Sequence, residues 1–232
     1  SLAGPVAVDR TRHDAAQVGD EPLLLAEAAP CWVARDRVAA AKAAIASGAK
    51  LLLLDDGLQN PRLAKNLSLL VIDGEYGLGN GRVLPAGPLR EPLPSGLARA
   101  DAVVLMGEDR TGVTPLLGVK PVLRARLVPE NAGAFAGIGR PAKFFATLTG
   151  LGAHVAARHP FADHHRYRAD ELRRLLAEAE AAHALLVTTA KDAARLPGEW
   201  RARVAVLSVA AAFDDVAALD RLIDGIGGAR HD

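Results

Sequence analysis

Four consecutive leucines, Leu51 to Leu54, run directly into Asp55-Asp56-Gly57-Leu58-Gln59. A strand buried on both faces reads as an unbroken apolar run, and in an open α/β sheet ligands bind just past the carboxyl ends of such strands. Lys50 to Leu54 is therefore predicted to be a buried strand that delivers two carboxylates and an amide to a binding crevice. A magnesium-dependent phosphoryl-transfer site needs such groups. If the strand continues, Asp55 and Asp56 point to opposite faces, so one would be the direct ligand and the other would orient it or cap the next helix. The competing reading is a strand end closed by an Asp-Gly turn, since both residue types suit turns. Gln59 favours function, because an amide there can bind a hydrated magnesium ion or a phosphate oxygen.

The same texture recurs along the chain. Cys31 to Ala34, Ser68 to Ile72 and Ala102 to Met106 read as further strands. Asp36 to Ser47 reads as an alanine-rich helix that stops at Gly48, which makes a βαβ crossover between Cys31–Ala34 and the leucine strand. Alternating strands and helices predict an α/β fold around a mostly parallel sheet. After Gly107 the sequence turns polar and rich in Gly and Thr, and Val122 to Val128 then alternates like a strand exposed on one face. A division at 119–120 is expected, with domain 1–119 followed by a smaller α/β domain over 120–232 reached through a short β linker. In that second part Gly133–Ile138, Leu185–Thr188 and Val204–Val209 read as strands. Helices are predicted from Pro141 through Phe144, Phe145 and Leu148, over Ala169–Ala182 and over Asp215–Ile226.

The totals exclude several classes. With 232 residues, 50% hydrophobic and 24% charged, the chain is globular rather than disordered. The 28 basic and 27 acidic residues nearly cancel, so no overall field advertises nucleic acid as a partner. A single cysteine, Cys31, rules out an internal disulfide and a cysteine-based zinc site, which fits a reducing compartment. No apolar run approaches the ~20 residues that span a bilayer. The chain opens on Ser1 in loop-like residues, and it is expected to begin inside a longer protein.

Three further constellations combine chemistry with plausible local structure. Val18-Gly19-Asp20-Glu21-Pro22 puts two acids where a helix begins; they complement the helix dipole, or Asp20 accepts a hydroxyl proton. Phe161-Ala162-Asp163-His164-His165 sets a carboxylate beside imidazoles in a loop, either a surface pair or an acid-oriented catalytic histidine. Thr188-Thr189-Ala190-Lys191-Asp192 follows a strand and opens a helix, where a Thr or Asp cap with an exposed lysine is as good an account as anion binding. Nowhere does the chain contain G-x-x-x-x-G-K-[ST], and the dinucleotide fingerprint G-x-G-x-x-G is missing too, which disfavours an oxidoreductase.

Taken in order with the loop Gly79-Asn80-Gly81-Arg82-Val83-Leu84-Pro85-Ala86-Gly87-Pro88-Leu89-Arg90-Glu91, these motifs resemble the tetraacyldisaccharide 4'-kinase family over nearly the whole chain. The resemblance implies a P-loop NTPase-like core with helices on both faces of the sheet, plus a smaller α/β domain. It implies ATP and Mg²⁺ as cofactors, a lipid A disaccharide-1-phosphate precursor as substrate, and phosphorylation of its 4'-hydroxyl. By the same resemblance Asp20 and His164 would remove the hydroxyl proton with Asp163 supporting His164, and Arg90 and Glu21 would serve the nucleotide. Asp55, as the Walker B carboxylate, would organise Mg²⁺ with Asp56, Gln59 and Glu91. The family works at the cytoplasmic face of the bacterial inner membrane as a peripheral protein. Its Walker A segment and membrane-associating helix precede the Gly-Asp-Glu-Pro motif, so this chain is expected to be an N-terminally truncated form of low or no activity. The alternative is a non-catalytic fragment that binds the lipid disaccharide.

Overall fold

The computed structural model describes residues 4–129, 141–150, 153–162 and 165–228. In chain order, β1 (Val6–Ala7) leads to α1 (Ala15–Val18), α2 (Asp20–Ala28), β2 (Trp32–Val33) and α3 (Arg37–Ala46). There follow β3 (Leu69–Asp73), α4 (Leu93–Arg99), β4 (Ala102–Met106), a 3-10 turn at Thr114–Leu117 and β5 (Val122–Pro129). The remainder comprises α5 (Pro141–Gly150), α6 (Ala169–Ala181), β6 (Val187–Thr189), α7 (Ala190–Ala193), α8 (Gly198–Arg201), β7 (Ala205–Leu207), β8 (Val209–Phe213) and α9 (Val216–Gly228). These elements form two compact units that are interleaved in sequence, 1–52 with 129–209 and 53–128 with 210–232. The boundaries between them fall at 52–53, 128–129 and 209–210.

The second unit is built on a four-stranded sheet of order β3-β4-β5-β8. β4 pairs in parallel with β3 on one side and β5 on the other. Its run Ala102-Val103-Val104-Leu105 is at most 4% exposed, as expected of a strand covered on both faces. Alternation sends Val103 and Leu105 into one cluster with Ile72, Val113 and Leu117, against which Leu97 of α4 packs. Val104 turns the other way, to Leu123 and Ala125, where Ala218, Leu219 and Leu222 of α9 cover it. Each Val, Leu or Ile fully buried in these clusters stabilises the unit by ~1.5–3 kcal/mol relative to exposure. β5 shows the predicted one-sided pattern, with Leu123 and Ala125 buried and Arg124 and Arg126 exposed.

The first unit carries the parallel pair β6–β7 and the antiparallel pair β1–β2. Val187 and Leu207 pack on Phe144, Phe145 and Leu148 of α5, while the adjacent Leu186 joins Leu172 and Leu175 of α6 with Trp200 and Val204. Asp36 caps α3 through a bond from the Val38 amide, and Gly48 follows the helix with φ +95°, the stop read from the sequence.

Three expectations fail. Lys50–Leu54 is not a strand, and Leu51 and Leu53 are 57% and 89% exposed. A strand forms only where neighbours take its N–H and C=O groups, and among the described residues no strand pairs with this segment. Leucine is not β-branched, so four in a row carry little backbone preference of their own, unlike Val103 and Val104 in β4. The expected crossover through α3 therefore does not form, and β2 pairs antiparallel with β1 instead. Val204–Val209 divides near Ser208 into β7 and β8, which join different sheets. The strand expected at 133–138 lies outside the described residues.

Candidate active site

In the second unit the acidic motif forms a tight turn. Asp56 adopts φ +50°, a region that Asp tolerates better than most residues. A Cβ on Gly57 would lie 2.6 Å from the Leu54 Cβ, so only glycine lets the chain fold back here. The downstream loop is fastened to this turn at two points. Arg90 Nη1 donates to Asp56 Oδ2 at 2.5 Å, and Gln59 Nε2 donates to Glu91 Oε1 at 2.9 Å. Arg99, from the last turn of α4, pairs with the other Glu91 oxygen. The Gln59 hydrogen bond, with the Arg99 bond and charge, outweighs burial and holds the Glu91 carboxyl below its ordinary value.

The loop itself is internally braced. Asn80 Oδ1 accepts from the Arg82 amide at 3.1 Å, and Asn80 Nδ2 donates to the Ala86 carbonyl at 2.8 Å. The Leu84 amide donates to the Leu89 carbonyl and the Leu89 amide to the Arg82 carbonyl. Gly87 passes against this brace: a Cβ there would lie 2.1 Å from Asn80 Oδ1 and 2.4 Å from the Arg82 carbonyl oxygen. Arg90 and Glu91 are thus presented from a rigid base.

In the first unit Asp20 is the first residue of α2, capped by Gly19 rather than capping the helix itself, and it is only 9% exposed. Arg195 donates to Asp20 Oδ2 through Nε at 2.8 Å and also through Nη2. Burial works against ionisation of Asp20, but the bonds and charge of Arg195, a backbone N–H and the Lys191 charge prevail, so its carboxyl lies below the ordinary value. Glu21 accepts from Lys191 Nζ at 2.9 Å. Behind Arg195, Asp192 is fully buried; it accepts from Arg195 Nη1 at 3.1 Å, from Thr189 Oγ1 at 3.0 Å and from the Tyr167 hydroxyl. Burial pushes the Asp192 carboxyl up despite these donors, and burial with the Asp192 charge pushes the Tyr167 hydroxyl up as well. His165 stacks on Phe161, meets Tyr167 edge-on and bonds Glu171 at 3.1 Å. Asp163 and His164 lie outside the described residues.

Asp55, Asp56, Gln59, Arg90 and Glu91 therefore belong to the second unit, and Asp20 and Glu21 to the first. Arg195, Tyr167 and Arg99 were not singled out by sequence reasoning, and Asp192 was weighed only as part of a helix cap. A signal existed for Arg195, because it stands three residues from Asp192, the spacing of a side-chain pair across a helical turn. Among the described residues no group of three or more His, Cys, Asp or Glu side chains gathers as a metal site. Mg²⁺ commonly takes one or two carboxylates and completes its shell with water and phosphate oxygens, so the all-oxygen donors of Asp55, Asp56, Gln59 and Glu91 fit it chemically. No helix among the described residues is long and apolar enough to cross a membrane.

A mostly parallel sheet with helices on both faces and an acidic turn stapled to an Arg-Glu loop define an α/β protein, and its likeness to the solved kinase structure below makes the fold P-loop NTPase-like. Residues 1–226 match the family described as tetraacyldisaccharide-1-P 4'-kinase. The chain is 59% identical over 233 residues to the tetraacyldisaccharide 4'-kinase of Rhodospirillum centenum, covering 96% of this chain and 69% of that protein. It is 55% identical to the corresponding kinase of Paramagnetospirillum magneticum, covering 97% of this chain and 72% of that protein. Among solved structures, the "apo" form of LpxK from Aquifex aeolicus in complex with ATP superposes with a TM-score of 0.72 at 25% identity, over 97% of this chain and 75% of that one. The chain belongs to the tetraacyldisaccharide 4'-kinase family, a family of kinases.

Proposed function

We propose that the protein transfers a phosphoryl group from ATP to the 4'-hydroxyl of a tetraacyldisaccharide 1-phosphate. The observation that carries this reading is kinship with kinases of that name across residues 1–226. The Aquifex aeolicus relative was solved with ATP, which supports ATP as the donor. Phosphoryl transfer asks the protein mainly for positioning and charge neutralisation, and the carboxylates, amide and guanidinium named above are groups of the kind each task needs.

Asp55, Asp56, Gln59 and Glu91 would hold Mg²⁺, which when bound neutralises charge on the phosphate oxygens. Arg90 and Glu21 would serve the nucleotide, with Arg90 directed by its bond to Asp56. Asp20 and His164 would take the proton of the 4'-hydroxyl, with Asp163 supporting His164. A carboxylate held below its ordinary value is a weak base by itself. The proton would therefore settle on the imidazole, while Asp20 stays ionised and stabilises the cation. The acyl chains of the substrate would remain in the cytoplasmic leaflet of the inner membrane, where the protein would act peripherally.

The test is steady-state phosphorylation of the lipid disaccharide by the Asp20→Ala and His164→Ala variants, each expected to lose at least ~100-fold in kcat. Unchanged turnover in both would remove the assigned roles.

A further inference from the structure

The contacts of Asp20 include a construction that proton acceptance alone does not require. Arg195 is held between two carboxylates, Asp20 in front and the fully buried Asp192 behind, with side-chain exposures of 8%, 11% and 0% for Arg195, Asp20 and Asp192. Asp192 is itself fixed by Thr189 Oγ1 and by the Tyr167 hydroxyl. Thr189 also caps α7, because its Oγ1 accepts the Asp192 amide at 3.1 Å. The guanidinium fork is thus anchored on one edge before it reaches Asp20 with Nε and Nη2. The other charged groups at this place, Lys191 on α7 and Glu21 on α2, pair with one another.

Fastening α2 to α7 does not call for buried ions. Apolar residues of similar volume hold such elements together as well or better, because desolvating charges offsets most of their attraction. A guanidinium anchored at its rear edge does something apolar packing cannot: it sets both the direction and the ionisation of the carboxylate in front of it. We propose that Arg195 is a positioning residue, held by Asp192, that orients the Asp20 carboxylate and keeps it ionised for the transfer reaction. The inference rests on the role given to Asp20 above.

Without Arg195, Asp20 would keep its burial and lose its strongest donors. Protonation would then compete at the pH where the enzyme works. In Arg195→Gln the acid limb of the kcat–pH profile should move up by about one unit or more and steepen from about one proton towards two. At pH 6 kcat should fall ~10–100-fold and recover substantially by pH 9, with KM for both substrates within about threefold of the parent value. Arg195→Lys retains the charge without the fork and should fall between the two. In an Asp20→Asn background, Arg195→Gln should add nothing further.

A purely structural role predicts otherwise: a loss flat across pH that follows the folded fraction measured by circular dichroism. That result, or an unmoved acid limb in folded Arg195→Gln, overturns the proposal. If Arg195→Gln folds poorly, Arg195→Lys carries the same comparison, and a profile identical to the parent's refutes it. Full turnover in Asp20→Asn alone would instead remove the underlying role of Asp20. Inactive Asp20→Asn with an unmoved Arg195 profile removes only the positioning role.

Discussion

Replacing Gly87 by alanine should loosen the loop that presents Arg90 and Glu91 without unfolding the protein. The added Cβ would stand 2.1 Å from Asn80 Oδ1, 2.4 Å from the Arg82 carbonyl oxygen and 2.8 Å from the Arg82 Cβ. Rotation of Asn80 relieves only the first contact, and it gives up the bonds to the Arg82 amide and the Ala86 carbonyl. The second contact is backbone, so Arg82 must move away from the Leu89 amide that it accepts. Two hydrogen bonds at ~0.5–1.5 kcal/mol each, with ~1–3 kcal/mol of residual overpacking, put the local cost at ~2–6 kcal/mol. At about 1.4 kcal/mol per factor of ten, that becomes ~30- to 20,000-fold faster amide exchange in the loop. Hydrogen exchange read by NMR at the Leu84 and Leu89 amides reports it directly, while the amides of β4 should keep their protection. Gly81→Ala is the matched control: its Cβ meets nothing within 4 Å, and only the φ of +70° is unfavourable, ~1–2 kcal/mol. Unchanged exchange at Leu84 and Leu89 in Gly87→Ala, or a larger effect from Gly81→Ala, would refute the steric reasoning.

Leu148→Ala removes a fully buried side chain from the α5–β6–β7 cluster and should destabilise the first unit by ~2.7–5 kcal/mol, read as an earlier calorimetric transition and as faster exchange at Val187 and Leu207. The Asp20 carboxyl is lower in the fold than its ordinary 3.8, so its stabilisation is complete above about pH 4 and is lost as the pH falls through the folded-state value. Asp20→Asn should therefore lose less stability than the parent between about pH 4 and pH 2 in urea titrations, and parallel curves would contradict this. Asp55→Asn should raise the Mg²⁺ concentration for half-maximal turnover ~10–100-fold, measured by titrating Mg²⁺ at saturating ATP.

Sequence reasoning worked where a local pattern carried its own structural cause. Ala102–Met106 is a strand at the predicted residues because its β-branched run has partners on both sides, and α6 appears where Leu172, Leu175 and Leu176 recur at helical spacing. The leucine run failed for the opposite reason, since its fate depends on neighbours that no four-residue pattern reveals. The motif beyond it kept its importance all the same: Asp56 and Gln59 are the points at which the Arg90-Glu91 loop is held. The Arg195–Asp20 pair was beyond sequence reading because its members stand 175 positions apart, and nothing near either one indicates the other. The residues around Thr189 left a Thr or Asp cap and anion binding both open, and Thr189 is the cap; it also holds Asp192, and through it Arg195.

β8 occupies the edge of the four-stranded sheet beside β5, and Arg126 of β5 is bonded to Asp214 just beyond it, 88 residues further along the chain. During synthesis β3, β4 and β5 emerge long before that final strand, with most of another compact unit translated in between. At ~5–20 residues per second, β5 keeps an open edge for ~4–18 seconds, a long exposure for a strand able to pair with other chains. The pair of arginines on its exposed side, Arg124 and Arg126, gives that edge the charge that discourages such pairing until residues 209–213 arrive to close it.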